Sequence, residues 1–456
     1  MKGHRAYLAV AIAVGLAASF ATGFELRSRS LEPRPSPPPP VGNGSLRGEV
    51  ASILQEHYYA PLSPHILGAS TLGGMLHRLG DPYTRYLSPS DYRLLKDAEA
   101  GAYTGIGVTV LHAPGGLLVT SSIPRPAPRR SGLHRGDLIT TIDGTSLATL
   151  SYRRALDLIT GDEGTPVRLG VEPFDGGPAM RVTLVRHSIA EPVVRSRMIR
   201  SGGGSYQYLR LYGFPASAAT RVRRLAQQAV NRHADGLILD LRGNPGGLLS
   251  QAVAVSRVFV NHGVVVSTEG LHEPPQAFYA NGTAVGKLPL VVLIDRSTAS
   301  AAEVTAGALR IGDGAIVVGE RSFGKGSVQT LLPLSDDTAL RLTTARYYTP
   351  SGRSVQEGGV EPDILVPQLS DPDYKDRPRL READLKRHLL NQAKVDNSIL
   401  ENDAKSDPRF AATPDELKKT GVDDFQLDYA VRTIARLANP AVQVAMNSAP
   451  VPPRKH

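Results

Sequence analysis

Between residues 206 and 348, short apolar runs alternate with helix-length segments, and this alternation leaves few folds open to the chain. Tyr206–Leu211, Gly236–Asp240, Val264–Thr268, Leu290–Ile294, Ala315–Val318 and Arg341–Tyr347 read as strands. Ala216–His233, Leu248–Val260 and Ala299–Leu309 read as helices. Apolar strands flanked by helices make an α/β layered core. In such folds chemistry collects outside the carboxyl ends of the strands. Two strand ends stand out. One runs into Asp240-Leu241-Arg242-Gly243-Asn244-Pro245-Gly246-Gly247, and the other leads through a polar turn to Ser300 at a helix start. Past the Ala315–Val318 strand, Lys325 lies in a loop between Gly324 and Gly326.

The rest of the chain divides by texture. Lys2 and Arg5 precede an apolar run from Tyr7 to Phe24, so residues 1–30 read as an export signal or a single membrane anchor. Ser19-Phe20-Ala21 offers a small-x-small cleavage site. Residues 31–47 are a stiff, proline-rich linker. Residues 48–102 form an N-terminal helical region, with Val50, Ile53, Leu54 and Tyr58 at helical spacing and a second helix expected over Ile66–Leu79. Residues 103–188 change to short strands and tight turns, with a one-turn helix opening at Ser131 and a longer one over Tyr152–Leu158. Residues 189–367 hold the α/β core. A C-terminal extension, 368–456, carries a charged helix expected over Pro378–Ala393 and a last one over Asp423–Leu437. Residues 396–424 are polar and turn-rich, and the tail from Ala449 reads as disordered.

Composition removes several chemistries. The chain of 456 residues has no cysteine, so disulfides, thiolate zinc sites and cysteine nucleophiles are excluded. Its 12 histidines are scattered without an HExxH pattern, which argues against a dedicated metal site, and no cofactor is expected. The net charge of +9 comes from 52 basic residues spread along the chain rather than from a compact basic helix with aromatics. A generally basic surface is the better reading than a nucleic-acid site, and binding of cell-wall polymer is a further reading of that surface.

A serine hydroxyl needs a base before it is a useful nucleophile. No histidine lies near Ser300 in any motif, but a lysine serves once burial lowers its pKa. The Phe323–Val328 stretch around Lys325 supplies an aromatic and small residues that allow close packing. Gln329, four positions on, orients the amine without adding charge. An oxyanion requires backbone donors, offered by Ala301 after Ser300 and by Gly246 or Gly247 in the glycine turn. Each element also has a plainer reading. Ser300 alone is a helix N-cap, and Lys325 alone is a surface lysine. Asp240 and Arg242 shape the glycine turn, and Glu303 is structural or positions Ser300. Gly319–Lys325 matches a phosphate loop, but Gly326 stands where Ser or Thr should hold magnesium.

Residues 103–188 resemble a PDZ domain. In that family the loop matching Gly105-Ile106-Gly107-Val108 receives a peptide's terminal carboxylate, and the peptide adds as a strand beside it. Asp81-Pro82-Tyr83-Thr84-Arg85-Tyr86, the glycine turn at 240–249, Thr298–Glu303, Phe323–Gln329, Thr343–Arg353 and Gly359–Ile364 follow in an order that resembles the carboxyl-terminal processing peptidases, serine peptidases of the tail-specific type. The resemblance covers residues 50 to 366. It implies an α/β catalytic core with an inserted PDZ-like domain, a small helical N-terminal region and a helical C-terminal extension. It also implies Ser300 as nucleophile, Lys325 as general base and Gln329 as its positioning partner. The substrates expected are proteins or peptides with accessible C-termini, met on the periplasmic side of a bacterial cell envelope. An envelope activator protein, self-association and membrane attachment through an uncleaved N-terminus are the further partners to expect, with no nucleic acid. Thr298 and Ala302 stand where the family commonly has serines, and Ile311 where relatives often have an aspartate. The alternative is a non-catalytic PDZ adaptor or scaffold with a decayed core, against which the complete Ser300, Lys325 and Gln329 set argues.

Overall fold

A computed structural model describes residues 45–122, 132–190, 193–374, 381–384, 389 and 410–439. The apolar run Tyr7–Phe24 with its cleavage site, the proline-rich stretch up to residue 44, Ser131, the tail from Ala449 and most of the helix expected at Pro378–Ala393 lie outside the described residues. The chain forms two compact units, one over Ser90–Glu191 and the other built from the segments on either side of it. The smaller unit is therefore an insertion.

The larger unit is centred on a six-stranded sheet in the order Val194–Ser201, Gly204–Leu211, Gly236–Asp240, Leu290–Ile294, Ile316–Gly319, Ile364–Leu365. It is parallel from Gly204–Leu211 onward, and Val194–Ser201 joins antiparallel at one edge. That edge strand was not expected from sequence, since Arg195, Arg197 and Arg200 leave it without an apolar run. The turn that makes it is Gly202-Gly203, with φ +57 and +80 at the two positions. Two successive positive φ values suit the twist of a tight hairpin, and glycine adopts them without a Cβ clash.

The central strands Gly236–Asp240 and Leu290–Ile294 are buried along their whole length, as expected of strands covered on both faces. Leu237, Leu239, Val292 and Ile294 pack with the Ala218–Asn231, Leu249–Ser256 and Ala301–Gly312 helices. Ile238, Val291, Leu293 and Val318 pack on the other face with Leu427, Ala430, Val431 and Ile434 of the Phe425–Leu437 helix. The last helix of the C-terminal extension thus docks on the core of its own chain, at the place where sequence left its partner open. Gly236 permits the approach, since a Cβ there would lie 2.7 Å from Ile434 Cγ1.

A second sheet is organised around the long Ala339–Tyr348 strand. Arg85–Leu87, Ser327–Pro333 and Val264–Glu269 pair with it, and Gln276–Tyr279 extends the sheet beyond Val264–Glu269. The N-terminal helical region packs against this sheet, with Val50, Leu54, Tyr58 and Met75 in one cluster with Leu340 and Leu342. Its part up to Pro89 belongs to the larger unit, and Ser90 onward belongs to the inserted one. The single helix expected over Ile66–Leu79 is two, Pro64–Leu67 and Leu72–Leu79. Gly68 ends the first, and the Thr71 side chain accepts from Gly74 N–H to start the second, so local capping overrides the apolar spacing.

In the inserted unit, the sheet order is Val108–Ala113, Gly116–Ser122, Leu138–Ile142, Pro166–Glu172, Met180–Val185. The Tyr152–Ile159 helix contributes Ala155 and Ile159 to a core shared with Leu117, Val119, Ile139 and Leu169. The Pro89–Ala100 helix precedes the strands and was not read from sequence. Gly105 ends the Ala102–Gly105 strand and Val108 opens the next, with Ile106 buried and Gly107 at φ +77 between them. Val108–Ala113 is an edge strand among the described residues, and the Tyr152 hydroxyl donates to Val110 O at 3.2 Å. An edge strand with a helix beside it is a groove into which an extended peptide adds as one more strand.

Candidate active site

Ser300 stands at the junction between the turn after Leu290–Ile294 and the Ala301–Gly312 helix, with φ +55 and ψ −121. A non-glycine residue in that region is strained, and strain of this kind is kept where the surroundings enforce it. The enforcement is visible in the hydrogen bonds. Ala299 N–H donates to Asn244 O at 2.9 Å, Thr298 Oγ1 to Leu241 O at 3.0 Å, and Gly243 N–H to Asp295 Oδ1 at 2.9 Å. The serine turn and the glycine turn are thereby stitched side by side. Asn244 Nδ2 also donates to Leu211 O at 2.9 Å, which anchors the pair to the next strand.

Glu303 is fully buried and binds both halves of the site. Its Oε2 accepts from Ser300 N–H at 2.7 Å and Lys325 N–H at 2.9 Å, while Oε1 accepts from Gly324 N–H at 2.8 Å and the Ser322 hydroxyl at 2.5 Å. Burial pushes its carboxyl up to about 7, against the donors that favour the ionised form. Tyr347 makes a second link. Its hydroxyl donates to the Lys325 carbonyl oxygen and is in hydrogen-bonding contact with the Ser300 side chain. Sequence had left Glu303 between two roles and had given Tyr347 none.

Lys325 is 1% exposed, which answers the plain reading of a surface lysine. Its Nζ lies 4.4 Å from the centroid of the Tyr83 ring and makes no hydrogen bond. Burial lowers its pKa to about 7, helped by the Arg341 charge and opposed by Glu382, Asp81 and Glu303. Ser327–Pro333 follows the lysine loop as a strand, whereas a phosphate loop runs into a helix; the nucleotide reading fails on topology as well as on Gly326. Gln329 is buried on that strand, but its amide donates to Ser327 Oγ at 2.9 Å and its Oε1 makes no hydrogen bond. No hydrogen bond joins Gln329 to the Lys325 amine that sequence expects it to orient.

The glycine turn approaches the serine closely. A Cβ on Gly246 would lie 2.9 Å from Ser300 Cβ and 3.0 Å from Ala301 N. The Gly246 N–H itself donates to Asn244 Oδ1 at 2.9 Å. Of the backbone donors expected for an oxyanion, Gly246 is therefore engaged by its own turn. Asp240 and Arg242 are structural. Arg242 Nε and Nη2 donate to Asp240 at 2.9 and 2.7 Å, and its Nη1 and Nη2 donate to the two oxygens of Asp424 at 2.8 Å each. Burial pushes the Asp240 carboxyl up, but the Arg242 charge and hydrogen bonds outweigh it and hold the group below the usual carboxylate range.

Residues 205–366 match the model of peptidase family S41, and residues 94–172 match that of the PDZ domain. The carboxy-terminal-processing protease of Bartonella bacilliformis is 33% identical over 394 residues, covering 85% of this chain and 87% of that protein. The chain belongs to peptidase family S41, the carboxy-terminal processing proteases. It is a serine peptidase with an inserted PDZ domain. The carboxy-terminal processing protease CtpA of Bacillus subtilis is 30% identical over 328 residues, covering 72% of this chain and 69% of that protein. Among solved structures, the photosystem II D1 C-terminal processing protease aligns with a TM-score of 0.47 and 28% identity, over 70% of this chain and 92% of that one.

Proposed function

We propose that this S41 peptidase cleaves peptide bonds through an acyl-enzyme on Ser300, with Lys325 as general base. The observation that carries the reading is the buried Glu303 carboxylate, which accepts the backbone N–H groups of both Ser300 and Lys325. One group fixes the nucleophile turn and the base loop together. With its pKa brought to about 7, Lys325 is available as a neutral amine near neutral pH. It takes the Ser300 proton as Oγ attacks the carbonyl carbon. The tetrahedral oxygen is met by the N–H groups of Gly247 and Ala301, since that of Gly246 is engaged. The lysine ammonium then gives its proton to the leaving amine, and Lys325 activates water to release the acyl group. Gln329, whose Oε1 makes no hydrogen bond, supplies an uncharged acceptor for the ammonium once the amine leaves the Tyr83 ring.

The substrates are protein C-termini, delivered through the Gly105–Val108 loop and the Val108–Ala113 edge strand of the PDZ domain. The site works at the cell envelope, on the periplasmic side. The cationic N-terminus, the apolar run Tyr7–Phe24 and the absence of cysteine support that placement. Attachment through that run, self-association and an activator protein are the means of restraining the activity.

Turnover of an unfolded protein substrate by the wild type, Ser300→Ala and Lys325→Ala tests the pair. Each variant is expected to lose at least about ten-thousand-fold in kcat, as for a unit of interdependent catalytic groups. Equal turnover by all three sinks the Ser–Lys reading, and peptide binding without turnover by the wild type favours the adaptor.

A further inference from the structure

Both family matches end before residue 367, yet a short segment beyond them reaches the base. Glu382, in the 3-10 turn Glu382–Asp384, is fully buried. Its N–H donates to the Phe323 carbonyl of the lysine loop at 3.1 Å, and its Oε2 accepts from the Tyr83 hydroxyl. Gln356 completes the attachment. Its Nε2 donates to Glu382 Oε1 at 3.1 Å and to the Leu389 carbonyl at 2.8 Å, while its Oε1 accepts from Gly326 N–H at 2.9 Å. The segment is therefore bonded directly to Phe323 and, through Gln356, to Gly326 on the other side of Lys325 in sequence, and through Tyr83 it reaches the ring on which the amine rests.

We propose that Glu382 is a positioning residue for the base: by holding the Tyr83 hydroxyl it fixes the aromatic face over which Lys325 Nζ rests. A phenol that donates to a carboxylate carries more electron density in its ring, and an ammonium is held over such a face by its charge. The neutral amine is not held in this way. The Glu382–Tyr83 pair thus retains the protonated lysine and releases it to Ser300 on deprotonation. The other charged or titratable groups facing the lysine are Arg341 from Ala339–Tyr348, Asp81 from the turn before Arg85–Leu87, and Glu303 from Ala301–Gly312; Tyr347 binds its carbonyl. Of these, Arg341 opposes the protonated form while Asp81 and Glu303 support it, so removing Glu382's charge shifts the balance toward Arg341.

The proposal rests on the Ser–Lys reading, and the test separates the two. The rate of labelling of the full-length protein by a serine-reactive fluorophosphonate is followed against pH for wild type, S300A, K325A, E382Q and Y83F. The wild-type rate is expected to rise through about pH 7, with S300A unlabelled and K325A without that limb. E382Q and Y83F are expected to move the limb to lower pH, by on the order of one unit for E382Q, with the plateau retained within a few fold. Y83F keeps the ring and removes only the hydroxyl, so it carries the test should E382Q fail to fold. Profiles of E382Q and Y83F that superimpose on wild type overturn the positioning role while the Ser–Lys reading stands. Labelling that persists in S300A, or a limb that persists in K325A, overturns the Ser–Lys reading and the proposal with it. A role confined to folding would lower the melting temperature without moving the limb.

Discussion

Glu303 shows how one side chain can be worth more than either Ser300 or Lys325 to the geometry of the site. Its two oxygens take three backbone N–H groups and a hydroxyl, and every partner is a donor. Glutamine has the same shape but a single acceptor oxygen, so its NH2 must face donors already in place. Glu303→Gln is expected to cost about 1–3 kcal/mol of stability, the range for leaving buried donors unpaired. Whichever way the amide turns, it abandons either Ser300 N–H and Lys325 N–H or Gly324 N–H and the Ser322 hydroxyl, so the tie between the serine turn and the lysine loop is weakened and kcat should fall by at least about tenfold while KM changes little. Thermal melting and steady-state kinetics on one substrate check both. A variant with wild-type kcat and an unchanged melting temperature would remove Glu303 from the role of clamp. Sequence placed the residue one turn into a helix, as structural or as positioning Ser300. Its contacts to Ser322, Gly324 and Lys325 come from a loop that the fold brings back, and no local spacing encodes them.

At the scale of elements, the parts that sequence reading recovered are those with a strong local period. The buried strands Gly236–Asp240 and Leu290–Ile294, the helix after Ser300 and the closing helix near Asp423–Leu437 all follow from apolar runs or faces. Missed elements lack that signal. Arg85–Leu87 is three residues long, Val194–Ser201 alternates with arginine on an edge, and Ser327–Pro333 was absorbed into the lysine loop. What sequence could not supply was the tie between distant elements, and Arg242 is the clearest case. It joins the end of the Gly236–Asp240 strand to Asp424, whose own side chain accepts from Leu427 N–H and starts the Phe425–Leu437 helix. Removing one member of a buried ion pair leaves the other charge uncompensated, at a cost of about 3–5 kcal/mol. Arg242→Ala is therefore expected to lower stability by that amount, with Asp240 left fully buried and unpaired with its cation. Asp424→Asn, which leaves the Asp240–Arg242 pair intact, should cost less. Denaturant titration of the two variants checks the order, and a larger loss in Asp424→Asn would mean that the Arg242–Asp424 pair rather than the Asp240–Arg242 pair carries the energy.

For the whole molecule, the decisive property is that a peptidase unit built from two separated stretches of chain carries an inserted PDZ domain with its own core. A separate core lets the insertion recognise a substrate by rules independent of the bond that is cut. Gly107, at φ +77 between two strands, lets the loop turn without a Cβ clash, and the Val108–Ala113 edge offers pairing to an extended chain. The edge takes any extended segment, whereas the loop calls for a free terminal carboxylate, since hydrogen bonds to a charged acceptor are about twice as strong as neutral ones. Full-length Ser300→Ala, which binds without cutting, should therefore bind a peptide with a free C-terminus about ten to a hundred times more tightly than its amidated twin. Fluorescence anisotropy with the two labelled peptides measures the ratio. The dependence should weaken as salt is raised, because part of the attraction is charge on charge. Equal affinity for the free and amidated peptides would take the carboxylate out of recognition. Selection would then rest on side chains along the edge strand, and the enzyme would act on extended segments wherever they occur in a chain rather than at its end.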